Sequence, residues 1–193
     1  HGANGQPGLG LLLKPSDWIA RWSHVLAPGA TVLDVACGSG RHLAWFAQRG
    51  HRVTGLDRSV DLASQNVPSA ELVCADIETA DWPLLCDGRQ RTFDAVIVTH
   101  YLWRPLLTTI IQSVAPGGIL LYETFATGNE AIGRPSRPDF LLQPGELLRA
   151  CTAMDVVAYE HGYLPDPPRM VQRIAALQPA SDVISMTEPA RIA

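Results

Sequence analysis

Short apolar runs alternate with amphipathic segments along most of this chain, and glycine or proline turns separate them. The runs at 31–36, 51–57, 71–75, 93–100 and 119–124 predict five buried strands. Runs as continuously apolar as 93–100 are typical of a parallel sheet that is covered on both faces. The pattern therefore predicts an α/β domain.

The segments beside these runs carry apolar residues at helical spacing. They predict helices over 15–26, 41–49, 59–66, 104–114 and 144–151. In the first of them, Trp18, Ile19 and Trp22 lie on one face, which packs on the sheet or covers a site. Near the C-terminus, the runs at 155–163 and 170–177 flank a proline-rich turn, and so predict an antiparallel hairpin at the sheet edge.

Residues 126–142 follow neither a helical nor a strand period. Long irregular segments inside a compact domain are commonly lids or binding loops, and we expect this one to cover the substrate side of a site. Asn129 is a candidate substrate contact, and Arg134 and Arg137 can hold an anionic group on the substrate. The alternative is a solvated loop without a function.

The composition narrows the possible classes of protein. A chain of 193 residues with 47% hydrophobic and 18% charged residues fits a single globular domain, expected at 15–178 between a loose lead (1–14) and a loose tail (179–193). No apolar run approaches the roughly 18 residues of a membrane span, so a cytoplasmic protein is expected. A net charge of −4 disfavours a nucleic-acid substrate. The four cysteines lack Cys-x-x-Cys spacing, and no metal site is predicted.

The chemistry concentrates after the first two strands. A glycine turn that contains Gly38 and Gly40 joins the first strand to a helix, which is a connection that lets a ligand approach the backbone closely. Asp34 lies inside the strand, where a carboxylate needs a partner. Asp57 ends the second strand, at the spacing of an acid that binds a ribose. A nicotinamide-dependent oxidoreductase is the less favoured interpretation, because its third glycine is replaced by Leu43.

Three motifs in order, Asp34-Val35-Ala36-Cys37-Gly38-Ser39-Gly40, Gly55-Leu56-Asp57 and Ala75-Asp76, resemble those of the class I S-adenosylmethionine (SAM)-dependent methyltransferases. The resemblance covers about 15–178, and Ala36 stands where the family often has glycine. Within the family, the small size and acidic charge are similar to those of small-molecule methyltransferases, including the tellurite-resistance type. The resemblance implies a Rossmann-like, doubly wound sheet of seven strands. That sheet is mostly parallel, carries helices on both faces and ends in the antiparallel hairpin.

The resemblance also implies SAM as the cofactor and a set of residues that bind it. These residues are Asp34, Ala36, Cys37, Gly38, Gly40, Asp57, Arg58, Asp76, Ile77 and Thr99. In the family, the residue at Asp76 accepts a hydrogen bond from the adenine amino group, and Ile77 presses on the adenine ring. Two alternatives stay open: Asp76 can cap the turn that follows it, and Cys37 can be a small packing residue.

The end of the fourth strand faces the methyl group and its acceptor in that family. His100, Tyr101 and Glu123 are therefore the catalytic candidates, and Tyr101 and Trp103 are candidate substrate contacts. The implied reaction is methyl transfer by in-line displacement to a small-molecule acceptor. The alternative is a SAM-binding module or partner subunit that catalyses nothing. The sequence leaves the oligomeric state open.

Overall fold

A computed structural model describes residues 14–180 of the chain. The expected lead, apart from Lys14, and the expected tail, apart from Pro179 and Ala180, lie outside the described residues. Five α-helices are described: α1 (Asp17–Trp22), α2 (Arg41–Ala47), α3 (Asp61–Asn66), α4 (Leu107–Gln112) and α5 (Glu146–Ala150). The strands are β1 (Thr31–Val35), β2 (Arg52–Asp57), β3 (Glu71–Cys74), β4 (Leu85–Cys86), β5 (Arg89–Gln90), β6 (Phe93–Thr99), β7 (Val114–Phe125), β8 (Asp155–Pro165) and β9 (Pro168–Leu177).

Seven of these strands form one sheet in the order β3-β2-β1-β6-β7-β9-β8. The first five in that order run parallel to one another, whereas β9 is antiparallel to β7 and pairs with β8 in the C-terminal hairpin. The predicted seven-stranded, mostly parallel sheet with an antiparallel hairpin is confirmed. The order of the strands reverses between the neighbours β1 and β6. Open α/β sheets bind ligands at such a topological switch point.

Two apolar cores cover the faces of the sheet, because side chains along each strand point alternately to one face and the other. On one face, Val32, Ala95 and Ile97 pack under α1, α2 and α3. On the other face, Leu33 and Val96 pack under α4 and α5. This arrangement explains why the strand sequences are apolar throughout.

The segment before β6 forms a small hairpin, although its sequence is typical of a loop. Pro83 and Asp87-Gly88 interrupt residues 81–91, yet β4 and β5 pair there as antiparallel strands. Asp87 (φ 51°) and Gly88 (φ 72°) form the turn. An Asp-Gly pair with two positive φ angles matches the right-handed twist of two short strands, so the turn chemistry explains the hairpin.

Candidate active site

A cavity of about 470 Å³ opens at the carboxyl edge of β1, β2, β3 and β6. Such a volume lies within the range of small-molecule and cofactor sites. Five residues of the predicted cofactor set line it: Ala36, Asp57, Arg58, Asp76 and Ile77. The remaining lining residues are Ala75, Glu78, Tyr101 and Phe140.

The turn after β1 borders this cavity at Ala36. Gly38 has a φ of 54° and Gly40 a φ of 83°, both in the left-handed region. The Gly38 N–H donates to Asp57 Oδ2 at 2.9 Å, which joins the turn to the end of β2. A Cβ atom on Gly40 would lie 3.3 Å from Val67 Cγ2, so this position leaves little room for a side chain. The turn therefore has a defined shape and keeps its backbone close to the cavity.

Ala36 also adopts a left-handed conformation, with a φ of 56°. An L-amino acid is destabilised by roughly 1–2 kcal/mol in this region. Glycine removes this strain, but its greater entropy in the unfolded state offsets part of the gain in stability. We expect Ala36→Gly to raise the free energy of unfolding by roughly 0.5–1 kcal/mol in urea titrations without ligand. The control is Ala44→Gly inside α2, which should lower it by about 1 kcal/mol. A loss of stability in Ala36→Gly would contradict the inferred strain.

The Cys37 side chain lies in the apolar core rather than in the cavity. It is 6% exposed, and its backbone N–H donates to the Leu56 carbonyl at 3.1 Å. Burial, with the charges of Asp34 and Asp57, raises the pKa of the thiol to about 12. Cys37 is therefore a protonated packing residue at neutral pH, which favours the packing alternative for its side chain.

Acidic residues follow β2 and β3 on the cavity wall. The Asp57 carboxylate accepts from the Gly38 N–H through one oxygen and from the Ser59 N–H (3.1 Å) through the other. Asp76 Oδ1 accepts from the Glu78 N–H at 3.1 Å, so this residue caps its turn and also lines the cavity. The two proposed roles of Asp76, capping and ligand binding, are compatible.

Asp34 is buried behind the turn, and one of its oxygens, Oδ2, has no hydrogen-bond partner among the described residues. The nearest cationic candidate is His42, whose Nδ1 lies 3.8 Å away. However, His42 Nε2 accepts from the Ser16 N–H at 3.1 Å, and burial lowers the pKa of this histidine to about 3. Burial likewise raises the pKa of Asp34 to about 8. Both groups are thus mainly neutral at pH 7 in the protein without ligand.

The raised pKa of Asp34 makes stability depend on pH. Below pH 8 the folded protein keeps this proton, whereas the unfolded chain, with a carboxyl pKa near 3.8, has lost it. Stability therefore falls as pH rises. Between pH 6.5 and 8 the free energy of unfolding of the wild type should fall, relative to that of Asp34→Asn, by up to about 1.4 kcal/mol per pH unit. Urea titrations of both proteins across this window measure the difference, and parallel profiles would contradict the raised pKa.

A second cavity of about 290 Å³ adjoins the first. His100, Leu102, Thr124, Phe125 and Pro135 line it. Glu78, Tyr101 and Phe140 line both cavities and therefore mark the boundary between them. Two of the three catalytic candidates, His100 and Tyr101, are thus brought to one place.

His100 and Tyr101 are both suited to act as neutral groups. His100 has a φ of 53°, and its ring packs on Phe125 at 4.9 Å. Burial and the positive charge of Arg41 lower the pKa of His100, so that its imidazole is uncharged at pH 7 and can accept a proton. Burial and the Glu78 carboxylate raise the pKa of Tyr101, whose hydroxyl makes no standard hydrogen bond among the described residues.

Glu123, the third catalytic candidate, lies in a different environment. It is 1% exposed, and it accepts from Ser16 Oγ at 2.9 Å and from Arg173 Nη1 at 3.1 Å. Arg173 also pairs with Glu160 at 2.6 Å. Glu123 lines neither cavity. The structure therefore places it as an internal counter-ion that joins β7, β9 and the start of α1.

Two residues of the irregular segment 126–142 line the cavities. The bridge between Ala126 and Leu142 closes its ends, and Pro135 and Phe140 reach the cavities. Asn129 is buried, with its amide donating to the Pro135 carbonyl (2.9 Å) and accepting from the Met170 N–H (3.0 Å), so it fastens the loop to β9.

The other predicted site residues lie outside the lining of both cavities. Arg137 is exposed and pairs with Asp139 at 2.9 Å. Arg134 is exposed on the same loop, Trp103 is half-buried before α4, and Thr99 is buried at the end of β6.

Sequence reasoning missed several residues that shape the site. Glu78 and Phe140 line both cavities, and Arg104 holds the loop by donating to the Asp139 and Leu141 carbonyls, both at 2.9 Å. Arg104 also forms two hydrogen bonds with the Glu146 carboxylate. An aromatic residue inside an irregular segment was the one available signal for Phe140. The contacts of Arg104 span up to 42 residues and leave no local pattern.

Among residues 14–180, no helix is long and apolar enough to cross a membrane. In the same part, no group of three or more His, Cys, Asp or Glu residues is placed to hold a metal ion.

Comparison with known sequences identifies part of the chain. Residues 32–118 match the family described as a methyltransferase domain. A malonyl-[acyl-carrier protein] O-methyltransferase from Serratia marcescens is 31% identical over 106 residues, which make up 53% of this chain and 41% of that protein. The chain spans about half or less of the length of the curated relatives it matches.

Comparison with solved structures identifies the fold. TehB from Haemophilus influenzae superposes with a TM-score of 0.64 at 18% identity, covering 83% of this chain and 61% of that one. The 1,6-didemethyltoxoflavin-N1-methyltransferase of Burkholderia thailandensis, with bound 1,6-didemethyltoxoflavin and S-adenosylhomocysteine, gives 0.59 at 19% identity, over 84% and 76% of the two chains. Residues 32–118 therefore match a methyltransferase domain family, and the chain has the fold of these solved methyltransferase structures.

Proposed function

We propose that this protein binds SAM in the 470 Å³ cavity and transfers its methyl group to a small molecule in the adjoining 290 Å³ cavity. The observation that carries the proposal is the shared boundary of Glu78, Tyr101 and Phe140 between the two spaces. Methyl transfer needs an acceptor held roughly 3–3.5 Å from the methyl carbon and in line with the sulfur. Two adjoining cavities support this arrangement, because they would hold the methyl donor and the acceptor on either side of one boundary.

The described residues fit SAM. The unpartnered Asp34 Oδ2 is a buried acceptor next to the turn, suited to a cationic ligand that restores its ionised form. Asp57 binds the ribose hydroxyls, and Asp76 accepts from the adenine amino group. Ile77, 8% exposed, supplies an apolar surface for the adenine ring. Gly38 and Gly40 keep side chains away from the methionine part of the ligand.

When bound, SAM supplies an electrophilic methyl carbon on a positive sulfonium sulfur. A lone pair of the acceptor forms the new bond to this carbon, while the carbon–sulfur bond breaks and its electron pair stays on sulfur. If the acceptor atom carries a proton, the neutral imidazole of His100 takes it. The Tyr101 hydroxyl orients the acceptor, and Phe140 with the 126–142 loop excludes water.

The acceptor cavity separates this proposal from its alternative. A SAM-binding module or partner subunit without catalysis has no need of an open second cavity that contains a neutral histidine. The four cysteines are free, which agrees with a reducing cytoplasm as the place of the reaction.

The test incubates the purified protein with methyl-labelled SAM and panels of thiols, chalcogen oxyanions and small carboxylates. We expect labelled product in one panel, and a large loss of the rate in Tyr101→Phe and His100→Ala. The control Arg52→Gln, at the opposite edge of the sheet, should keep the rate. Binding of S-adenosylhomocysteine without transfer to any panel would favour the non-catalytic module.

A further inference from the structure

Positively charged side chains collect on one side of the acceptor region. Phe125, the last residue of β7, pairs with Val171 on β9. Arg169 lies on β9 two residues before Val171, beyond the end of β7. Because side chains alternate along a strand, Arg169 projects from the same face as Val171 and Arg173. His100, whose ring packs on Phe125, lies at the same edge of the sheet.

Arg41 reaches this face from the other side. It begins α2 directly after the cofactor turn, and its Nη1 donates to the Lys14 carbonyl at 3.4 Å. Two residues after Lys14, Ser16 bonds to Glu123, which is the β7 residue opposite Arg173. These contacts bring Arg41, Arg169 and His100 around one end of β6 and β7.

The charge of these arginines is not neutralised by the carboxylates around them. Within residues 14–180, neither Arg41 nor Arg169 forms an ion pair. The nearby Glu123 is committed to Ser16 and Arg173, and Asp34 is held neutral by burial. The positive charges of Arg41 and Arg169 both lower the pKa of His100, and the charge of Arg169 also lowers the pKa of Arg41.

Arg169 also keeps an unused donor. Its Nη1 donates to the Asp166 and Pro167 carbonyls at 3.1 and 2.8 Å, which fixes the side chain against the hairpin turn. Its buried Nε–H has no partner among the described residues. An N–H in this situation costs free energy unless a ligand satisfies it, and a guanidinium prefers the oxygens of an anion.

We propose that Arg41 and Arg169 bind an anionic oxygen group of the methyl acceptor beside His100, so that the substrate class is small organic acids or oxyanions. This inference rests on the proposed function. It assigns the anion to Arg41 and Arg169 rather than to Arg134 and Arg137, because both loop arginines are exposed and Arg137 already pairs with Asp139. Two convergent guanidiniums would hold the anion in one orientation relative to the methyl group.

The experiment measures binding to the purified protein at fixed ionic strength, with the protein saturated with S-adenosylhomocysteine. The probes are malonate, its uncharged counterpart malonamide and inorganic phosphate. We expect malonate or phosphate to bind and malonamide not to bind. Arg41→Gln and Arg169→Gln should each weaken the affinity for that anion at least tenfold. S-adenosylhomocysteine affinity should change less than twofold in both variants. The matched control is Arg52→Gln, an exposed arginine at the amino end of β2, which should bind the anion as the wild type does.

Three results would overturn the assignment. Anion affinity could stay unchanged in both arginine variants, or neither anion could bind. Alternatively, S-adenosylhomocysteine affinity could fall while anion affinity is kept, in which case the arginines would hold the carboxylate of the cofactor itself. Failure of the proposed function gives a different result, because the wild type would then not bind S-adenosylhomocysteine at all. The anion titration can still be read in the ligand-free protein.

Discussion

Replacing Asp57 with alanine is expected to weaken S-adenosylhomocysteine binding about 100-fold. The carboxylate fixes the turn through the Gly38 N–H and its own loop through the Ser59 N–H, and in the proposed complex it also binds the ribose. Hydrogen bonds to a charged group contribute about 1.5–3 kcal/mol, so losing the ribose contact and the shape of the turn accounts for this factor. Calorimetric titration of the purified variant measures it.

Two variants sharpen this test. Asp57→Asn keeps the shape of the side chain but loses the charge, and should fall between wild type and alanine. The matched control is Asp61→Ala, an exposed acid in the first turn of α3 that lines neither cavity and should bind as the wild type does. Unchanged affinity in Asp57→Ala would remove this residue from the site.

Glu123→Leu is expected to lower the free energy of unfolding by about 3–5 kcal/mol. Removing one member of a buried ion pair leaves the other charge without full compensation. Here Arg173 loses Glu123, and Ser16 loses the acceptor that fastens α1 to β7. Glu160 still pairs with Arg173, which places the effect towards the lower end of that range. Urea titration measures the loss.

The control for this variant is Asp139→Ala, which breaks the exposed pair with Arg137 and should cost less than about 1 kcal/mol. Glu123→Leu also distinguishes between two roles for Glu123, structural and catalytic. A structural counter-ion predicts reduced stability with S-adenosylhomocysteine affinity retained at low temperature. If Glu123→Leu were as stable as wild type and lost only methyl transfer, a catalytic role would replace the structural one.

The fold was predictable because its determinants are local. The strands of the parallel sheet are mostly apolar runs, because both faces of the central strands are buried, and glycine or proline marks most of the ends of the runs. The hairpin of β8 and β9 follows from the proline turn between two runs. The small β4–β5 hairpin was missed although Asp87-Gly88 is a strong turn signal, because its two-residue strands are too short to show a period.

The site was only partly predictable from the residues. The cofactor side depends on residues at or directly after strand ends, so Asp57 could be predicted by its spacing and Asp76 by the family resemblance. The acceptor side depends on contacts between distant segments. Glu123 and Asn129 are polar residues near strand ends, yet their partners lie up to 107 and 41 residues away, and these contacts occupy their side chains inside the protein. Sequence spacing cannot distinguish such a polar residue from one that faces a ligand.

Calorimetric titration with S-adenosylhomocysteine, with NADH as the control ligand, measures whether this protein binds the methyl donor. We expect micromolar binding of S-adenosylhomocysteine at one site per chain and no heat from NADH. Binding of NADH alone would contradict the proposed function, because the turn with Leu43 in place of the third glycine would then hold a dinucleotide. Binding of neither ligand would also contradict it, since the 470 Å³ cavity would then lack the affinity assigned to it.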